Sequence, residues 1–245
     1  MNLPFAALLL LTSSIGGCHS AASTGTRSAA AAHEQCDNLN SMGSRLTDPD
    51  TGLARQEAVV SATLLSQVPR ITSENIATAD ELLVVMVKQN PYSPEEAVYI
   101  LKTPPRPTPP SYKVVHARAK ASLLSQDIND PRVGVDFAEA AIDAEAVQAI
   151  ERAWGTMALR ARWPDREHAI AQMKWGGVRY AFDYRGDNVY GQGATVSPDR
   201  GSCTGALAKI GELLGRFAEE PDAQKRAALR DALVAESRAL SQRLN

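Results

Sequence analysis

The side chains able to do chemistry in this chain are three cysteines, four histidines and 28 carboxylates. Their spacing excludes more than it selects. There is no Gly-x-Ser-x-Gly elbow, no His-Glu-x-x-His, no phosphate-binding Gly-x-x-x-x-Gly-Lys and no Cys-x-x-Cys. Gly191-Gln192-Gly193 lacks the third glycine and the preceding strand of a dinucleotide fingerprint. Cys36 and Cys203 form an even pair that an exported chain would oxidise to a disulfide. Such a bridge would close a loop of roughly 170 residues, worth roughly 5 kcal/mol in the chain-entropy picture. The competing reading makes Cys203 a nucleophile, because Ser202 could cap a helix whose dipole favours a thiolate.

Two further sets of residues have a functional reading. His168, Asp183 and Asp199 could supply acid–base groups to a hydrolase without a familiar motif. A second set is a recognition surface of Trp175, Arg179, Tyr180, Tyr184, Arg185, Tyr190 and Arg200, residue types that dominate binding hot spots. Part of it must be core, since a two-stranded hairpin has to pack one face on something. Asp136, Glu139, Asp143 and Glu145 read as the acidic first turns of a helix ending in Arg160 and Arg162, a polarity that suits the helix dipole. His116 stands alone in its stretch and reads as a packed or solvated side chain. No cofactor and no metal site is expected.

The amino terminus gives an address. Residues 3–11 are an apolar run too short to span a bilayer but of signal-peptide dimension, and Ile15-Gly16-Gly17-Cys18 follows. This tetrad resembles the lipobox of bacterial lipoprotein precursors. The resemblance implies cleavage before Cys18 and lipid on its sulfur and new amine, a stable anchor once two or more chains are attached. His19, in place of Asp, favours the outer membrane with the body facing the periplasm. The departures are the lack of Lys or Arg before Arg27 and the glycine at position 16. An ordinary secretory signal cut after Ala22 is the alternative, giving a soluble periplasmic or secreted protein.

The expected organisation is thus a signal peptide at 1–17, a lipidated tether at 18–35 and one globular domain at 36–245. Halves at 36–103 and 112–245 would be joined by the Pro-rich stretch 104–110, read as a stiff crossover. Low aromatic content (5%) and abundant Ala, Leu, Glu and Arg point to a mainly α, helical bundle-like domain. Helices are expected at 53–68, from the cap at Thr78, from Ser93-Pro94-Glu95-Glu96, at 112–125, and from about Asp136 to Arg162 with a break near Asp143. Leu207, Ile210, Leu214 and Phe217 mark another helix, and Leu229, Leu233, Leu240 and Leu244 the last. The exception is a short β-hairpin insert near 177–196, where Val178, Tyr180, Phe182 and Tyr184 alternate with polar residues.

A formal charge of −2 excludes a phosphate-backbone reader, so nucleic acid is not an expected partner. The missing catalytic sets favour a non-enzymatic interaction protein, an inhibitor, immunity or assembly partner. It would bind the membrane through its anchor and an envelope protein or anionic envelope polymer through its body. The envelope hydrolase is the alternative.

Overall fold

The apolar run Leu82–Val87 is buried along its whole length, and it forms a strand rather than a helix. A computed structural model describes residues 36–40, 60–66, 80–90, 92–104, 109–123, 133–162, 177–186 and 189–245. All of these fall in one compact unit, Glu34–Asn245. The strands are β1 (Glu81–Asn90), β2 (Ser93–Thr103), β3 (Ser111–Ala119), β4 (Val135–Ile142), β5 (Arg179–Gly186) and β6 (Val189–Val196). The helices are α1 (Ala144–Leu159), α2 (Cys203–Glu219) and α3 (Ala223–Leu244). The strands form one antiparallel sheet in the order β4-β3-β2-β1-β5-β6.

The expected mainly α bundle is therefore wrong; the fold mixes a six-stranded antiparallel sheet with helices. The reason lies in burial on both faces. On one face Val84, Met86, Val98, Ile100, Val114 and Phe182 join a core with α1, α2 and α3. On the other, Val85, Val87, Tyr99, Leu101 and Val115 pack with Val60 and Leu64 of the helical turn 60–64. A strand buried on both faces loses its apolar–polar alternation and reads as a continuous apolar run. A register shift between Leu82 and Val84 also puts Leu83 and Val84 on the same face, which further blurs the period of two.

The capping signals misled for a related reason. Ser93-Pro94-Glu95-Glu96 opens β2, and the Glu95 carboxylate accepts from the backbone N–H of Leu123 at 2.6 Å and the hydroxyl of Ser122 at 2.9 Å. It caps a distant loop, not its own turn. Of residues 112–125, expected helical, 112–119 lie in β3 instead, and 124–125 lie outside the described residues. The pairing Thr103↔Ser111 makes the Pro-rich stretch a hairpin connection between neighbouring strands, not a crossover between halves. Its residues 105–108 lie outside the described residues, as do 53–59 of the first expected helix.

The helix expected from Asp136 to Arg162 is two elements. The first is β4. Asp143 then caps α1, its carboxylate accepting from Ala146 N–H at 3.0 Å. The hairpin was legible: Gly186↔Val189 closes β5 on β6, and the two C-terminal helices lie where their leucines mark them. No helix among the described residues is long and apolar enough to cross a membrane.

Candidate functional site

A single rung of the sheet carries the charged groups that face α2. Lys88 on β1 pairs across the ladder with Tyr180 on β5 and Glu96 on β2, and Glu96 with Arg118 on β3. The rung thus reads Tyr180–Lys88–Glu96–Arg118, alternating in charge after the phenol. Opposite-charge neighbours across strands stabilise a sheet by a few tenths to about 1 kcal/mol each. The next rung inward is Phe182–Met86–Val98–His116, apolar except for the histidine. Period-two alternation in β3 puts His116 and Arg118 on the face of Val114.

Helix α2 answers this pattern with two carboxylates. Glu212 accepts from the Lys88 ammonium at 3.1 Å and from the Tyr180 hydroxyl at 2.9 Å. Glu219 lies 3.1 Å from His116 Nδ1 and 3.5 Å from Arg118 Nη2. Glu96 approaches His116 Nε2 at 3.8 Å and Arg118 Nε at 3.2 Å. The His116 contact, then Lys88 and Arg118, hold the Glu96 carboxyl below its usual range against partial burial. Burial, reinforced by Glu212, pushes the Tyr180 phenol up, so it stays a hydrogen-bond donor.

The helix reaches the sheet because its inner stripe is small. A Cβ at Gly211 would collide with the Met86 sulfur, and one at Gly215 would touch the His116 ring at 3.5 Å. Close approach leaves two hollows along α2 that meet at Glu212. One of about 580 Å³ is lined by Val178, Tyr180, Ser197, Pro198, Arg200, Gly205, Ala208 and Lys209. The other, of about 280 Å³, is lined by Met86, Lys88, Glu96, His116, Arg118, Gly211, Gly215, Arg216 and Glu219. Ser197 at the rim of the first is the one described non-glycine residue with positive φ, 42°. It is locked by hydrogen bonds exchanged with Val178.

The start of α2 is also where the amino-terminal end of the body is fastened. Cys36 and Cys203 are joined as a disulfide, with Cα atoms 5.3 Å apart, so Cys203 is no free thiolate nucleophile. Beside the bridge, Asp37 accepts from the N–H of Thr204 at 3.0 Å and from its hydroxyl, an anion on a helix N-terminus. Asn40 then exchanges backbone hydrogen bonds with Ala194 at 2.8 and 2.9 Å, adding a short rung outside β6.

The expected recognition set is divided by strand alternation. Tyr180 and Arg200 come together in the larger hollow. Tyr184 faces the helices, its ring lying where a Cβ at Gly155 would sit. Arg185 and Tyr190 pair across the hairpin on the opposite face, the guanidinium 5.8 Å from the ring centroid, with Tyr190 55% exposed. Arg179 reaches Gln89 at 3.3 Å. Trp175, His168 and Cys18 lie outside the described residues.

Asp183 is on the far face of β5, its carboxyl raised by burial, while its backbone carbonyl accepts from Trp154 Nε1 at 3.1 Å. Asp199 is engaged at the start of α2, accepting from Gly201 N–H at 2.8 Å. These two carboxylates are not brought together. The acidic set disperses likewise into ion pairs: Asp136 with Lys120, Glu139 with Lys113, and Asp143 and Glu145 with Arg230. Among the described residues no three His, Cys, Asp or Glu side chains cluster as metal ligands would.

Sequence reasoning missed His116, Glu96, Lys88, Glu212 and Glu219. Only the alternation in Val114-Val115-His116-Ala117-Arg118 could have suggested that His116 and Arg118 share a face. Glu219 lies within hydrogen-bond reach of His116 Nδ1, whereas Glu96 stands 3.8 Å from Nε2, an ion-pair distance and not a hydrogen bond. No protein-family model matches the chain, and no curated protein or solved structure is significantly similar to it.

Proposed function

We propose that this chain is a cell-envelope lipoprotein, anchored through Cys18, whose body acts by binding a partner and not by catalysis. The observation that carries the reading is the hollow beside Tyr180 and Arg200, which opens next to the Cys36–Cys203 fastening. A preformed concavity with a few convergent polar groups is the usual form of a binding site. At its wall Tyr180 donates to Glu212 at 2.9 Å, which fixes that part of the surface before a partner arrives. Cys36, the first described residue, is bridged to the start of α2, the helix that lines this hollow. That geometry suits an inhibitor, immunity or assembly role at the periplasmic side of the outer membrane.

The test has two arms. Cys18→Ala should move the protein from the membrane to the soluble fraction. A photo-crosslinking residue at Arg200 should give discrete adducts in intact cells, whereas one at Gln224 on α3 should not. Equal labelling from both positions, or none from Arg200, would overturn the binding role. Membrane retention of the Cys18→Ala variant would overturn the anchor.

A further inference from the structure

The two hollows along α2 share Glu212, and together they follow the length of the helix. Most cations in them are already paired: Lys88 with Glu212, Lys209 with Glu236, Arg118 with Glu96 and Glu219. Two are not. Arg200, at the rim where α2 begins, and Arg216, three turns along it, make no ion pair among the described residues. At 1.5 Å per helical residue they stand on the order of 20 Å apart. The stretch between them carries Lys209 and Glu212 among small residues on the helix side, and Lys88 and Glu96 on the sheet side.

We infer that this groove takes an extended acidic peptide segment of a partner protein, with its carboxylates seated on Arg200 and Arg216. The inference rests on the binding role proposed above and names the class of partner. About six residues of extended chain cover 20 Å, so two acidic side chains about six positions apart match the two arginines. The hollows themselves, of about 580 and 280 Å³, leave room for the peptide's backbone. The Glu212–Lys88–Glu96 row offers acceptors and a donor to its amides. A uniform polyanion fits worse, because it would have to lie against Glu212 and Glu96. Charge complementarity therefore selects a peptide with anionic ends over a phosphate or uronate polymer.

A random nine-residue peptide library displayed on phage and selected on the purified, oxidised protein tests this directly. The expected outcome is enrichment of peptides with Asp or Glu about six positions apart. Their affinity should fall about tenfold in Arg200→Glu or Arg216→Glu and beyond detection in the double variant. Both substitutions are on exposed side chains and leave the fold intact, as circular dichroism would verify. Selected peptides that bind both variants as tightly as the parent would overturn the groove while leaving the binding role standing. No enrichment, or displacement of the peptides by polyphosphate at lower concentration than by free peptide, would overturn the peptide assignment.

Discussion

His116 sits between two carboxylates from different elements: its Nδ1 is 3.1 Å from Glu219 on α2 and its Nε2 3.8 Å from Glu96 on β2. One buried ring thus joins the last turn of the helix to the middle of the sheet. Removing it takes a polar partner from Glu96 and Glu219 and leaves Arg118 as the group that contacts both. His116→Gln should cost about 1–3 kcal/mol at pH 7, the usual penalty for a buried polar partner left unmatched. The Glu96 carboxyl is held below 4.5, so its stabilisation is complete above that value and is lost as pH falls through the lowered one. The cost of His116→Gln should therefore shrink below pH 4. Urea titrations at pH 7 and pH 3.5 decide it, and an equal cost at both values would show that the contact is not ionic.

Glu95 explains why β2 reads as the start of a helix. As the third residue of Ser93-Pro94-Glu95 it has the sequence of a helix cap, yet its carboxylate serves Leu123 and Ser122, 28 and 27 positions away. Local sequence shows that an acceptor is available, not which donor will use it. Leu82–Val87 likewise shows that a segment is buried, not whether by helices or by sheet neighbours on two sides. The C-terminal helices and the hairpin were readable because each keeps one wet face, as buried Leu207 beside exposed Lys209 on α2 and buried Phe182 beside exposed Arg185 on β5 show. The site was illegible because its rung joins Lys88, Glu96, Arg118 and Tyr180 from four strands, a register no single window contains. Glu95→Ala should cost about 1–3 kcal/mol by orphaning the buried Leu123 amide, and Glu95→Gln less. Equal losses in the two variants would show that packing, not the acceptor, matters there.

Gly211 sets the distance between α2 and the sheet. A methyl group at this position meets the Met86 side chain, so Gly211→Ala should destabilise by about 1–3 kcal/mol despite its better helix propensity. Met86→Ala alone should cost about 2–5 kcal/mol through the cavity it leaves. Combined, the two changes should be less damaging than the sum, since each relieves the other's fault. A double-mutant cycle that is additive would mean the helix does not approach β1 at this point.

The Cys36–Cys203 bridge and the Asp37–Thr204 contact act on the same few residues. Removing the bridge with Cys36→Ser and Cys203→Ser should lower stability by about 2–5 kcal/mol, since the loop it closes is long. Asp37→Ala should cost about 1 kcal/mol as the loss of a helix-end anion. Hydrogen exchange should show early opening of the Asn40–Ala194 rung in the double cysteine variant, ahead of the β1–β2 core. Free thiols at both cysteines in non-reducing mass spectrometry of the protein purified without reductant would sink the bridge, and simultaneous opening of both regions would show that it staples more than the edge of β6.

Arg230 on α3 reaches back to the start of α1, with Nε and Nη2 on the Asp143 carboxylate at 2.8 and 2.9 Å and Nη2 on Glu145 at 2.7 Å. The guanidinium, helped by the Ala146 amide, lowers the Asp143 carboxyl to about 2. A lowered folded value means that stability is present above the ordinary aspartate range and fades as pH falls from about 4 towards 2. The pair is exposed to solvent, and salt screens it. Arg230→Met keeps the stem that lies over the shallow hollow beside Phe217 and removes only the charge. Its melting temperature should fall below the parent's at pH 7 in low salt. The gap should narrow in 1 M salt and shrink as pH falls from about 4 towards 2, where Asp143 takes up its proton in the parent. A gap that persists unchanged under both conditions would assign the role of Arg230 to packing of α3 on α1, not to charge.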